Sequence, residues 1–225
     1  MTSYNSGNLI YQGSQVGSYP QPFNVDVIKI DPESALARNG GLWKVDRNYL
    51  QGSTPYNATY SGDEIIFNGS TTYLSISPSI SIGLQDFTME VSLRFLTANV
   101  GSESNGTFFH NGGQFYWGIW LSNSNTVINT QFNLVGSADI RCSTAFNLGE
   151  YSFSASRKNG VLHLFINKVL LNTQPFAFNL GSINRFGGFP NGYYNLNGNL
   201  KYAAIYPSAR YTSTYEKIYK FISWR

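Results

Sequence analysis

The chain has 225 residues, one cysteine, 12% charged residues and a formal net charge of +3. Charged residues are about half as frequent as in an average soluble domain, and the Lys and Arg are scattered, which excludes a basic nucleic-acid footprint. Cys142 alone excludes an internal disulfide, and no stretch approaches the ~20 consecutive apolar residues of a membrane-spanning helix.

Residues 1–40 are poor in alternating hydrophobics and carry Gly13, Gly17, Pro20, Pro22 and Pro32. They read as an extended N-terminal arm with one short strand over 25–30 and no signal-peptide pattern at its start. Tyr4, Leu9, Ile10, Tyr11, Tyr19 and Phe23 make the arm too apolar for a solvated linker, so it is expected to pack on its own domain or on a neighbouring subunit.

From Gly41 onward, short alternating runs separated by Gly, Asn and Ser clusters predict strands over 65–67, 73–76, 87–96, 107–110, 115–122, 127–134, 151–157, 161–166, 169–171 and 196–206. So many strands imply two packed antiparallel sheets. Successive side chains on a strand face opposite ways, so Phe87, Met89, Val91, Leu93 and Phe95 belong to the core and Thr88, Glu90, Ser92 and Arg94 to solvent. The same rule puts Phe115, Trp117, Ile119 and Leu121 on one face and Tyr116 and Trp120 on the other, with Gly118 between them. Asn159-Gly160 marks a hairpin. Ser213 with Glu216, followed by Tyr215, Ile218, Tyr219 and Ile222 at helical spacing, predicts a short C-terminal helix.

Three segments together resemble the concanavalin A-like and laminin G-like jelly rolls. Ile66-Phe67-Asn68-Gly69-Ser70-Thr71-Thr72-Tyr73-Leu74 followed by Asp86-Phe87-Thr88-Met89-Glu90-Val91 is similar to their opening strands. The run from Ser154 to Asn167 looks like their middle hairpin, with Lys168 where a Gly is usual. Leu196-Asn197-Gly198-Asn199-Leu200 and Ile205-Tyr206-Pro207-Ser208-Ala209 resemble the closing strand. The resemblance covers residues 42–225 and implies an all-β, two-sheet jelly-roll sandwich whose concave face or rim loops bind glycans or proteins. Fold alone does not settle function.

The superfamily includes glucanases, which use an E-x-D-x-x-E strand. That pattern is absent, and Glu90 has no partner carboxylate two or three residues away. No G-x-S-x-G elbow is present, and His163 and His110 read as an exposed strand residue and a strand-end residue. The carboxylates are too dispersed for a calcium site, so no metal and no cofactor are expected.

Two clusters combine aromatic faces with amides, as sugar recognition requires. They are His110 and Asn111 with Tyr116 and Trp120, and Phe189, Asn191, Tyr193 and Tyr194. The alternative places these rings beneath the arm or in a subunit interface. The leading expectation is a non-enzymatic virion protein, a capsid-decorating, fibre or tail component made in the host cytoplasm. Its arm would hold other virion proteins or sister subunits in a homo-oligomer, and its lectin-like domain would face outward to glycans, without nucleic-acid binding or membrane insertion. The alternative is a cellular carbohydrate-binding lectin or module.

Overall fold

A computed structural model describes residues 64–101, 105–189, 193–206 and 208–215, together with short strands at 4–5, 8–9, 28–30, 42–45, 48–51, 55–56 and 59–61. The strands in chain order are β1 (Tyr4–Asn5), β2 (Asn8–Leu9), β3 (Ile28–Ile30), β4 (Leu42–Val45), β5 (Asn48–Gln51), β6 (Pro55–Tyr56), β7 (Thr59–Ser61), β8 (Glu64–Asn68), β9 (Tyr73–Ser81) and β10 (Phe87–Phe95). They continue with β11 (Asn105–His110), β12 (Phe115–Leu121), β13 (Val127–Leu134), β14 (Ala138–Ala145), β15 (Gly149–Lys158), β16 (Val161–Ile166), β17 (Val169–Pro175), β18 (Ser182–Phe186) and β19 (Asn197–Tyr206).

These strands build two large antiparallel sheets, as the alternating runs predict. One has the order β17-β16-β15-β10-β19-β3-β4-β5, with β8 and β7 added beside β19. The other has the order β14-β13-β12-β11-β18-β9-β6. The expected strand within the arm is present at Ile28–Ile30, and it is hydrogen-bonded into the first sheet against β19, with Ala203 opposite Ile30. Tyr4 and Leu9 pair through their backbones in a small separate hairpin. Ile10, Tyr11, Tyr19 and Phe23 lie outside the described residues, as does the stretch beyond Tyr215 where a helix is expected from the sequence. The described residues contain no helix.

The core lies between the two sheets and is aromatic. Phe108 meets Trp117 edge-on at 5.0 Å within one sheet and Phe153 of the other sheet at 5.1 Å, while Phe132 contacts Phe87 at 5.9 Å and Phe176 at 5.3 Å. Each such pair adds about 0.5–1.5 kcal/mol beyond its area burial, so this inter-sheet spine is a large share of what holds the layers together. The Trp117 indole N–H would be costly to bury unpaired. Thr130 accepts it at 2.9 Å and passes its own hydroxyl proton to the Gly118 carbonyl.

The predicted hairpin at Asn159-Gly160 and the turn that follows β16 form where the backbone can turn left-handed. Asn159 and Gly160 take φ of +50° and +74°, and Asn167 and Lys168 take +50° and +70°. Lys168 therefore adopts the turn that a glycine would take more readily.

The outer face of the larger sheet differs from the expectation. Thr88 and Glu90 are buried, with Glu90 only 1% exposed, and His163 is buried at 9%. The cause is the chain after β19, which runs back across this face. Arg210 N–H donates to the Thr88 hydroxyl, Thr88 donates to the Ser208 carbonyl, and the Tyr215 and Ser154 hydroxyls bond at 2.7 Å. Tyr211 and Tyr215 stack at 3.6 Å with Phe165 edge-on to both, and Tyr211 bonds Glu90. Period-two alternation gives the face of a residue but not whether a later segment covers that face.

Candidate functional site

The outer face of the seven-stranded sheet is built by register. Tyr116 lies opposite Asn133, which lies opposite Asp139. Gly118 faces Gln131 and then Arg141, and Trp120 faces Asn129 and then Ser143. Tyr116 and Trp120 stand four residues apart on one strand, roughly 13 Å along it. Between them Gly118 contributes no side chain. A Cβ there would sit 2.6 Å from the Gly106 carbonyl oxygen, because the irregular β11 pairing brings that backbone close. Gly118 itself is buried, so between the two half-buried rings the surface is formed by the β11 backbone rather than by a side chain.

One side of this surface is charged and amide-rich. Asp139 accepts Arg141 Nε at 2.9 and 3.0 Å and a short contact from Arg141 Nη2, and Gln131 Nε2 donates to it at 2.8 Å. The Arg141 bond holds the Asp139 carboxyl below the usual carboxylate range, and Asp139 in turn raises the guanidinium. The Arg141 guanidinium lies over the Trp120 ring at 5.4 Å from its centroid.

The other side is the segment between β18 and β19, which folds over the same face. Thr107 N–H donates to the Tyr194 carbonyl at 2.9 Å, and Tyr194 adopts φ of +53°. Tyr193 and Tyr194 are 54% and 46% exposed. The Tyr116 hydroxyl titrates above the ordinary phenol value, first because it is desolvated and then because the Asp139 carboxylate and Tyr194 lie near. The two aromatic clusters expected from sequence thus border one surface.

Not every expected residue reaches it. His110 faces outward by register but is 0% exposed, because the Phe189 ring stacks on it at 4.0 Å. It cannot touch a ligand, which corrects the expectation. Asn111 is a turn residue whose Oδ1 accepts the N–H groups of Gly113, Gln114 and Phe115. Phe189 packs inward on His110, and Asn191 lies outside the described residues. Asp139, Arg141, Gln131 and Asn133 enter instead. Asp139-Ile140-Arg141-Cys142-Ser143 alternates as a strand should, with only Ile140 and Cys142 buried, and that weak signal marks the outward Asp139 and Arg141.

Among the described residues no group of three or more His, Cys, Asp or Glu side chains could hold a metal ion. No protein-family model matches the chain, and no curated protein matches it.

Solved structures do match. A heptameric SAP-like pentraxin from Limulus polyphemus superposes with a TM-score of 0.53 at 14% identity, over 65% of this chain and 76% of that one. The binding domain of Botulinum neurotoxin DC, solved in complex with SialylT, gives 0.53 at 10% identity over 75% and 47%. A Trypanosoma rangeli sialidase in complex with the inhibitor DANA gives 0.57 at 10% identity over 81% and 30%. The chain shares the two-sheet β-sandwich fold of the pentraxin. It spans about half of the neurotoxin chain and about a third of the sialidase chain, so the likeness concerns this sandwich and not those whole proteins.

Proposed function

We propose that the chain is a non-catalytic, lectin-like carbohydrate-binding module that takes its glycan on the outer face of the seven-stranded sheet. The observation that carries this is the pair of half-buried rings Tyr116 and Trp120 on one outward strand face, with Gln131, Asn133 and Arg141 aligned beside them by strand register. A sugar ring offers an apolar face to such rings and hydroxyls to such amides. A solved relative of this fold, the neurotoxin binding domain, holds SialylT, which supports a ligand of this class.

The non-catalytic reading is supported by the state of Asp139. Arg141 and Gln131 occupy its oxygens, and its lowered pKa keeps it ionised, so it is poorly placed to donate a proton to a leaving group. The solved relatives lend no support to a virion role for the arm, and the reading does not depend on one.

A glycan microarray probed with the parent chain, Tyr116→Ala and Trp120→Ala tests the proposal. Binding by the parent to a defined set of glycans, weakened at least tenfold in both variants, is the expected result. No binding to any glycan, or equal binding by all three chains, would overturn it. Release of reducing ends from β-glucans by the purified chain would overturn the non-catalytic reading.

A further inference from the structure

We propose that His110 is a positioning residue whose neutral ring pins the segment ending in Phe189, and with it Tyr194, against the sheet as one wall of the site. Protonation of His110 releases that wall. The inference rests on the reading of this face as the ligand surface.

The geometry defines the state of the ring. His110 Nε2 lies 2.7 Å from the Gly188 carbonyl, and Nδ1 lies 3.1 Å from the Gly112 N–H. A carbonyl can only accept and a backbone N–H can only donate, so Nε2 carries the proton and Nδ1 is a bare acceptor. A second proton on Nδ1 would set two donors against each other. Arg185, opposite His110 in the β11–β18 ladder, is the charged group acting on the ring and opposes a second cation there. Tyr116, its partner in β12, is the titratable neighbour across the strand.

The pinned segment is coupled to the wall. Phe189 stacks on His110 and its N–H donates to Asn195 Oδ1 at 2.9 Å, Leu196 N–H donates to the Gly187 carbonyl at 2.7 Å, and the Tyr194 carbonyl is held by Thr107. Lifting Gly188 and Phe189 breaks the bond to Asn195 beside Tyr194 and leaves the Thr107 bond as the one backbone tether of this wall to β11 among these contacts.

Burial, aided by Arg185, lowers the His110 pKa from 6.5 to about 4. A depressed pKa means that the closed form is favoured above pH 6.5 and loses that advantage as pH falls toward 4. If the ring regains its ordinary pKa when the segment lifts, opening increases roughly 30-fold at pH 5 and roughly 300-fold well below pH 4.

Hydrogen exchange of the full chain, corrected for the intrinsic pH dependence, reads this directly. Amides of Gly187, Phe189 and Leu196 should exchange roughly 20-fold faster at pH 5 than at pH 7 relative to those of β10. His110→Gln keeps a side-chain N–H for Gly188 without titrating, so it should abolish the difference. A parent ratio within threefold of unity, or the same ratio in His110→Gln, would overturn the proposal. NMR titration of the two imidazoles in the parent needs no variant, and a His110 midpoint of 6 or above would also overturn it. The glycan microarray run at both pH values separates the two readings. Loss of bound glycan at pH 5 in the parent but not in His110→Gln supports the wall, and retention with the segment open would overturn it. Accelerated exchange with no glycan bound at either pH sustains the pin and removes the carbohydrate reading.

Discussion

Arg157 offers the sharpest test of how the sandwich is held together. Its side chain is 1% exposed, yet no carboxylate accepts a bond from it. Instead Nε donates to the Gln85 carbonyl at 2.9 Å, Nη1 to the Phe178 carbonyl at 2.7 Å and Nη2 to the Gly83 carbonyl at 3.0 Å, with the guanidinium 4.9 Å above the Phe87 ring. One cation thus ties the turn before β10 to the segment after β17. Burial lowers its pKa, and the nearby Asp86 charge acts in the opposite direction.

Replacing it with Met keeps the stem against Phe87 and strips the Gln85 and Phe178 carbonyls of this donor, while the Gly83 carbonyl keeps the Leu180 N–H at 3.2 Å. An unsatisfied buried polar group costs about 1–3 kcal/mol, and water can reach these turns, so the low end applies to each. Removing the buried charge returns part of that cost. The expected net loss is about 1–2 kcal/mol. With a urea slope of about 3 kcal/mol/M, the midpoint of unfolding followed by tryptophan fluorescence should fall by roughly 0.3–0.7 M. Arg157→Lys, a point charge with a narrower reach, should recover only part of this. A shift under about 0.2 M for Arg157→Met would refute the assignment of Arg157 as the tie between these turns.

Trp120→Ala should abolish at least nine-tenths of glycan binding while lowering the thermal midpoint by less than about 3 °C, since the ring is only half-buried; a matching loss of both would make Trp120 a structural residue. Gly118→Val should destabilise the chain by about 2–3 kcal/mol in the same urea assay, because its Cβ would meet the Gly106 carbonyl at 2.6 Å; an unchanged midpoint would refute the close approach. Burial pushes the Cys142 thiol from 9.0 up to about 12. The native thiolate fraction at pH 8 is then about a thousandfold below that of the unfolded chain, and iodoacetamide should alkylate native Cys142 at least 100-fold more slowly than in urea, with the rate rising as pH approaches 12. Equal rates would show Cys142 exposed.

The resemblance drawn from Ile66–Leu74, Asp86–Val91 and the closing strand carries to the fold, and the solved structures share its two-sheet sandwich. The legible part of the site is Tyr116, Gly118 and Trp120, because a run of alternating residues on one strand announces its own outward side. His110 misled for a physical reason. Its outward register was readable, but Phe189, nearly 80 residues later, covers it.

What the amino-acid order determined by itself is local. Period-two hydrophobicity sets which side of each strand turns inward, and Asn159-Gly160 sets a turn, since both follow from neighbours in the chain. What only the tertiary structure decided is which outward sides stay open. The return of residues 208–215 over Thr88, Glu90 and Ser154 buries one face. The pairing of β13 with β14 carries Arg141 to Trp120 on the other face. Both depend on contacts between segments far apart in sequence, whose energy is won by packing and not by local propensity.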